Sequence, residues 1–174
     1  GIPLDPLTPM VHAPELPEGE KVGDAAEVER LGQLGAQLTA ALMLGVAELT
    51  LDYANDYAKN REQFGRPIGS FQAMKHMLAD LYVKAGQARY AVYAAGATID
   101  DPEAGDVERA VSSAKVVAGE SAMHNARKCV QIYGGMGYTW ELPPHYYLKR
   151  VFVLENAFGT IGSHAERVAQ RLVA

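Results

Sequence analysis

The strongest constraint on the fold of this chain is a long row of apolar residues between positions 71 and 99. Their spacing alternates between three and four residues across four heptads, which places all of them on one side of an α-helix. A row of this length is typical of a helix packed inside an antiparallel bundle, and we expect this helix to lie at the bundle's centre. The row comprises Phe71, Met74, Leu78, Leu81, Ala85, Ala88, Val92, Ala95 and Ile99.

A second long helix is predicted to begin near Ala25. Apolar and small residues again recur at steps of three and four, which indicates one face of a helix. The polar stretch NREQFGRPIGS, residues 60–70, ends this helix with two glycines and a proline, and Ser70 is the expected N-cap of the helix that follows. The face comprises Leu31, Leu34, Leu38, Ala41, Gly45 and Leu49.

Three more helices complete the predicted set. Asp106 is the expected N-cap of a third helix that runs to about Tyr133. A fourth helix begins after Pro144, where the fixed φ of proline suits a helix start. Ser163 and Glu166 form a Ser-x-x-Glu pattern, which predicts a capping box at the start of a short last helix.

Residues 1–24 have a different character, because they contain five of the nine prolines and no helical period. Proline lacks a backbone N–H and disfavours helix at the residue before it, so this segment is predicted to be an extended arm. The predicted fold class is therefore all-α: an antiparallel up-down four-helix bundle with a short extra C-terminal helix over residues 25–174, preceded by the arm.

Composition excludes several functional classes. The 174-residue chain has a formal net charge of −5, which opposes binding to nucleic acid and to anionic membranes. We find no apolar run of about 18 residues and no targeting segment, so no membrane association is expected. A single cysteine, Cys129, is compatible with a reducing compartment, and a cytoplasmic location is expected.

Metal and nucleophile chemistry have little support in the sequence. A di-iron bundle needs paired Glu-x-x-His motifs on two helices, whereas Glu120 and His124 are four residues apart and have no counterpart elsewhere. We therefore expect no metal. Cys129 lies in an apolar helix with Val130 and Ile132, the setting of a small buried hydrophobic side chain.

Two glycine-bearing loops indicate a ligand. REQFG places Arg61 and Phe64 three residues apart at a helix end, and the guanidinium fork of arginine suits a phosphate group. QIYGGMGY places Gln131 before Gly134 and Gly135, where the absence of Cβ allows backbone N–H groups to approach a pyrophosphate. Each loop alone is more simply read as a helix terminus.

Taken together and in order, the motifs resemble the acyl-CoA dehydrogenase family. They are YAxxRxQFGxPIxxFQ, an alanine-rich helix with AR, then AK and an acidic residue, QxxGGxGY, and finally GT before the last helix. The resemblance covers roughly residues 25–174 and matches the C-terminal four-helix domain of the family. It implies that residues 1–24 are the exit from the β domain of the family, and that this domain and the N-terminal helical domain lie outside this chain.

The resemblance also implies a cofactor, FAD, and a substrate, an acyl-CoA thioester. In the family the two glycine-bearing loops hold the adenine and pyrophosphate end of FAD bound mainly to a neighbouring subunit, so a homo- or hetero-oligomer is expected. The GT threonine lies near the flavin ring of its own subunit. The residues of this chain that match these roles are Arg61, Phe64, Gln72, Gln131, Gly134, Gly135 and Thr160.

The base that the family uses to remove the α-proton is missing at both of its known positions. Most members have a glutamate immediately before the Gly-Thr pair, where this chain has Phe158. Others have it on the first helix of this domain, about seven turns before Arg61, where this chain has Gly35. A phenyl ring cannot accept a proton. Glu155 is a candidate for a displaced base, although one helical turn upstream it is expected to face elsewhere.

Three interpretations remain open at this point. The chain resembles part of a non-catalytic partner subunit in a heteromeric dehydrogenase, as in family members that act on steroid side-chain thioesters. It could instead be part of an active homomeric enzyme with a relocated base such as Glu155, or of a structural bundle that binds neither FAD nor acyl-CoA.

Overall fold

The computed structural model describes residues 3–6, 8, 13–15 and 17–173, and it confirms the all-α bundle. Two residue pairs, β1 (Glu62–Gln63) and β2 (Arg66–Pro67), form a small antiparallel hairpin. Single 3₁₀ turns stand at Ile68–Ser70, Pro102–Ala104 and Gly134–Tyr138. The helices are α1 (Ala25–Asn60), α2 (Gln72–Asp100), α3 (Val107–Tyr133), α4 (Pro144–Asn156) and α5 (Ile161–Val173).

The central helix is α3, so the prediction that α2 occupies the centre is wrong. Asn125 of α3 donates its amide hydrogens to the carbonyl oxygens of Ala47 on α1 (2.9 Å) and Leu81 on α2 (3.1 Å). The reason for the central place of α3 is a fully buried alanine at every fourth position, which lets neighbouring helices approach closely. These alanines are Ala114, Ala118, Ala122 and Ala126.

The apolar row on α2 does face the bundle, as predicted. Its central five members are buried, and its ends, Phe71 and Ile99 among them, are half-buried. Burial of these side chains is the main favourable contribution to packing α2 against α3. The buried members are Leu81, Ala85, Ala88, Val92 and Ala95.

The leucine face of α1 points away from the core. Leu31, Leu38 and Leu42 are each more than half exposed, while the side of α1 that faces α2 and α3 is built from smaller residues. By length and mean hydropathy, 1.5 over 18 residues, α1 is also apolar enough to cross a membrane, which corrects the expectation that no such run exists. Half of that stretch is buried inside the bundle, as in a core helix. The buried residues include Ala36, Ala40, Met43, Ala47 and Ala54.

Helix caps match the predictions in part. Asp106 caps α3 by accepting a hydrogen bond from the N–H of Arg109 (3.0 Å). The Ser70 prediction is wrong, because Ser70 ends a 3₁₀ turn and α2 begins one residue after Phe71 with no side-chain cap. The Ser163–Glu166 capping box is also wrong, because α5 begins earlier.

Two further sequence expectations concern the arm and a metal site. The arm contacts α4 through an ion pair between buried Asp5 and Arg150, and His12 lies outside the described residues. Within the described ranges no cluster of three or more potential metal ligands occurs. His124 instead pairs with the carboxylate of Asp80 (2.7 Å).

Candidate functional site

The predicted site residues divide between opposite ends of the bundle. One end, the hairpin end, comprises the C-terminus of α1, the β1–β2 hairpin, the start of α2 and the C-terminus of α3. The other, the joint end, comprises the first turns of α1 and α3 and the segment that joins α4 to α5. Gly35 and Arg61 mark the two ends on one helix, and at about 1.5 Å per residue they are about 39 Å apart.

Packing of aromatic rings brings the parts of the hairpin end together. The rings of Tyr57 on α1 and Tyr133 on α3 stack with their centroids 4.0 Å apart. Ile68 and Leu142 pack against the same small cluster, which also contains buried Cys129. Burial raises the pKa of the Cys129 thiol to about 12, so this residue is not a nucleophile at neutral pH.

The hairpin presents an arginine and a phenylalanine to solvent. Phe64 and Gly65 form its turn with φ values of 55° and 76°, the pattern of a type I′ turn. Phe64 is 92% exposed. The Arg61 guanidinium makes no hydrogen bond or ion pair with the described part of the chain, whereas that of Arg66 lies over the ring of Phe71 at 4.2 Å.

The glycines after α3 leave open backbone at the same end. Gly134 ends α3 with a φ of 63°, and a Cβ placed there or at Gly135 would meet no atom within 4 Å. Gly137 differs, because a Cβ there would lie 2.7 Å from the carbonyl oxygen of Val130. Gln131 is exposed on the last turn of α3, and Gln72 is exposed as the first residue of α2. All six predicted phosphate-end residues are therefore exposed at the hairpin end.

The joint end is organised around Phe158. This residue has a φ of 56° and is followed by Gly159 with a φ of 103°. A Cβ on Gly35 would lie 2.6 Å from the ring atom Cζ of Phe158 and closer still to Cδ1 and Cε1. The ring therefore occupies the space in front of Gly35, and only glycine fits beneath it. The two positions at which the resemblance leads us to expect a base are therefore in direct contact.

Buried polar side chains hold the backbone of the joint. Lys115 Nζ donates to the carbonyl oxygens of Leu154 (2.8 Å) and Ala157 (2.7 Å) at the end of α4. Burial lowers the pKa of Lys115 to about 8, and the nearby charge of Glu155 opposes that shift. The Thr160 hydroxyl accepts a hydrogen bond from the N–H of Ser163 (3.1 Å), so Thr160 caps α5.

His164 joins α5 to both the joint and α3. Its Nε2 lies 2.9 Å from the carbonyl oxygen of Phe158, and its Nδ1 lies 3.0 Å from Ser112 Oγ. Burial lowers its pKa, which favours the neutral ring. Sequence analysis missed this pair, because its members are 52 residues apart and belong to no motif. A buried histidine cannot be recognised from sequence spacing alone.

Glu155 and Phe158 line different grooves. Glu155 lines a groove of about 660 Å³ with Phe152, Ile161 and residues of α3, whereas Phe158 lines one of about 450 Å³. The carboxylates in the Phe158 groove are Glu29 and Glu108. Glu108 accepts a hydrogen bond from Arg171 Nε (2.7 Å), so it is already paired.

Comparison with known proteins gives a consistent result. The family model for the acyl-CoA dehydrogenase C-terminal domain matches residues 29–173. Acyl-CoA dehydrogenase FadE34 of Mycobacterium tuberculosis is 41% identical over 140 residues, which are 80% of this chain and 20% of that protein.

Solved structures agree with this match. The ChsE4–ChsE5 complex from Mycobacterium tuberculosis superposes with a TM-score of 0.81 at 33% identity, over 87% of this chain and 41% of that one. A variant of the Tcur3481–Tcur3483 steroid ACAD gives a TM-score of 0.73 at 30% identity, over 79% of this chain and 38% of that one. The chain thus spans between about a fifth and two fifths of the length of these relatives.

Proposed function

The chain belongs to the acyl-CoA dehydrogenase family, whose C-terminal domain it carries, and on that premise we propose that it is part of a partner subunit in a heteromeric flavin-dependent dehydrogenase. Such a subunit completes a flavin site and leaves proton abstraction to another chain. The observation that supports this most is the ring of Phe158 lying on Gly35.

The reaction of the assembly is the α,β-dehydrogenation of an acyl-CoA thioester. Bound FAD supplies the acceptor for the hydride from the β-carbon, while a carboxylate must remove the α-proton. In this chain the place for that carboxylate holds a hydrocarbon ring, which lies on Gly35 and cannot take a proton. We infer that the α-proton is removed at a site on the other subunit.

The hairpin end fits the phosphate end of FAD. Arg61 offers a guanidinium with no partner among the described residues. Gly134 and Gly135 leave room for a ligand against the backbone, and exposed Phe64 offers a ring face. Arg61 would pair with a phosphate oxygen, and the backbone after α3 would approach the pyrophosphate. Because this end lies about 39 Å from the joint end, its flavin is distinct from one near Thr160. We propose that it belongs mainly to the neighbouring subunit.

We further propose a bulky substrate of the steroid side-chain type. This rests on the likeness to the Tcur3481–Tcur3483 steroid ACAD, and on a complex with two differently named chains, ChsE4–ChsE5, among the solved relatives. In a dehydrogenase built from unlike subunits, the acyl cleft can be closed on the side of one subunit and widened on the side of the other, which makes room for a bulky substrate.

The proposal is tested by flavin content in the full-length protein, co-expressed with neighbouring family members. Arg61→Ala should weaken FAD binding about ten- to a hundredfold, because a charge-assisted pair contributes about 1.5–3 kcal/mol. Arg61→Lys should restore only part, since the bidentate fork is lost. Arg66→Ala, in the same hairpin, is the matched control, because that guanidinium is engaged with Phe71. Equal flavin content in all variants would place Arg61 outside the cofactor site.

Turnover distinguishes a partner subunit from an active one. Glu155→Gln keeps the side-chain shape and removes the charge, and we expect turnover to stay within about twofold. Loss of a general base lowers rate by about 10²–10⁴. A drop of that size, with flavin content and assembly unchanged, would make this chain catalytic with Glu155 as its base.

A further inference from the structure

We propose that Ser112 and His164 are a positioning pair that holds Phe158 in its left-handed conformation and so keeps the acyl cleft of this subunit closed. The closed cleft is the part of this inference that rests on the proposed function. The positioning of Phe158 is a separate claim about this domain.

The conformation that needs support is unfavourable by itself. A phenylalanine with φ near 56° brings its Cβ against the backbone, and such residues persist only where their surroundings hold them. Gly159 follows with a φ of 103°, so the joint turns through two successive left-handed residues. Without an external hold, the chain would relax and move the Phe158 ring off Gly35.

The donor and the acceptor of each hydrogen bond made by His164 can be assigned. The carbonyl oxygen of Phe158 can only accept, so the hydrogen of neutral His164 lies on Nε2. Nδ1 is then an acceptor, and Ser112 Oγ donates to it. Ser112 therefore fixes the tautomer of His164, and His164 fixes the Phe158 carbonyl. The chain of hydrogen bonds runs from α3 through α5 to the joint.

Burial protects these two hydrogen bonds from water. Ser112 and His164 are each 1% exposed, so water cannot replace either partner if one is removed. Gly159 also shapes the pair, because a Cβ there would lie 2.8 Å from His164 Nε2. The ring of His164 thus packs directly on the glycine it positions. Neither side chain has another described hydrogen-bond partner. The function that the geometry assigns to both is therefore to position the joint.

The test uses the full-length subunit in its assembly and two measurements. The first is hydrogen–deuterium exchange of the peptide that covers residues 154–164, which reports on the joint alone. In His164→Leu we expect exchange there to rise at least about tenfold, and in Ser112→Ala severalfold. His164→Gln keeps a donor near the position of Nε2 and should restore most of the protection. Ser113→Ala, the neighbouring serine with no described hydrogen bond, is the matched control and should leave exchange unchanged.

The second measurement counts bound acyl-CoA by calorimetry. The probe is an acyl-CoA whose β-carbon is replaced by sulfur, which cannot be dehydrogenated. We expect no binding to the unmodified cleft of this subunit, and one additional molecule per subunit in both His164→Leu and Phe158→Ala. His164→Gln should bind no additional acyl-CoA in this cleft, because glutamine still donates a hydrogen bond near the position of Nε2. If the imidazole only filled space, the glutamine variant would not differ from His164→Leu in this way.

The outcomes separate the two claims. Unchanged exchange in His164→Leu and Ser112→Ala would overturn the positioning pair and leave the proposed function standing. A new binding site in Phe158→Ala but not in His164→Leu would overturn the pair as the element that keeps the ring in place. Binding to the unmodified cleft would overturn the closed cleft itself, even if the exchange data showed that the pair holds the joint.

Discussion

The two ends of the bundle carry the same dipeptide in the same unusual backbone conformation and treat it differently. Phe64–Gly65 and Phe158–Gly159 both have positive φ, and these phenylalanines are the two non-glycine residues with that feature in the described part of the chain. Phe64 stands out from a hairpin and is 92% exposed. Phe158 is 58% exposed, its ring lies on Gly35, and its carbonyl oxygen is hydrogen-bonded to His164. The comparison teaches that the same strained backbone conformation can leave a ring in solvent or place it against a neighbouring helix.

The largest expected effect comes from removing the charge that holds the end of α4 near the joint. Lys115→Met should lower the free energy of unfolding by about 2–4 kcal/mol, because a buried and a part-buried carbonyl oxygen lose a charged donor. Urea unfolding measures this. Lys75→Met, on the exposed side of α2 at the hairpin end, should change stability by less than about 0.5 kcal/mol. Equal effects would mean that Lys115 does not stabilise the joint.

A second substitution tests the contact between Gly35 and Phe158. Gly35→Ala should destabilise the chain by about 1–3 kcal/mol, because the new methyl group overlaps the phenyl ring. In a Phe158→Ala background the same change should stabilise it by about 0.5–1 kcal/mol, the usual gain for alanine over glycine inside a helix. A double-mutant cycle by chemical unfolding gives the coupling. Additive effects would show that the ring lies elsewhere.

Asparagine at each phenylalanine compares the two ends directly. Phe64→Asn should stabilise the hairpin by about 0.5–1 kcal/mol, since Asn-Gly is the preferred type I′ turn and little packing is lost. Phe158→Asn should instead destabilise the chain by about 1–2 kcal/mol, because the contact with Gly35 is lost. Thermal unfolding of both variants is the measurement. Changes of the same sign would remove the distinction between the two turns.

The smallest expected effect is a pH dependence at the joint end. Burial holds the pKa of His164 below its usual 6.5, so the unfolded chain binds more protons than the folded chain as pH falls. The stability from this group is therefore complete above about pH 6.5 and is lost as pH falls through 6.5 toward the lower folded value. Urea unfolding at several pH values measures the slope. In His164→Gln, the part of the slope that comes from His164 should disappear. The slope that remains should come from His145, whose pKa is also lowered.

The sequence predicted the bundle, the start of α1 near Ala25 and the cap of α3 at Asp106, because residue spacing and helix caps are local signals. The helix starts predicted at Ser70 and Ser163 are wrong. The sequence did not predict which helix is central. The central position of α3 depends on its buried alanines, and their small size matters only because other helices pack on both sides of α3. The resemblance could mark Gly35 and Phe158 as the two positions at which a base is expected. Their contact could not be predicted, because it depends on the positive φ of Phe158 and on a hydrogen bond from a histidine without a sequence motif.

The contact between Gly35 and Phe158 also restricts how this domain can change over generations. A carboxylate cannot be introduced at position 35 while the phenyl ring covers it, since even a methyl group there would overlap the ring. The ring must shrink first, and an intermediate with a smaller residue at 158 would have an open cleft and no base. The contact therefore blocks a carboxylate at position 35 until Phe158 has changed, whereas a carboxylate at position 158 would replace the ring itself. Only the first of these substitutions depends on the order in which they occur.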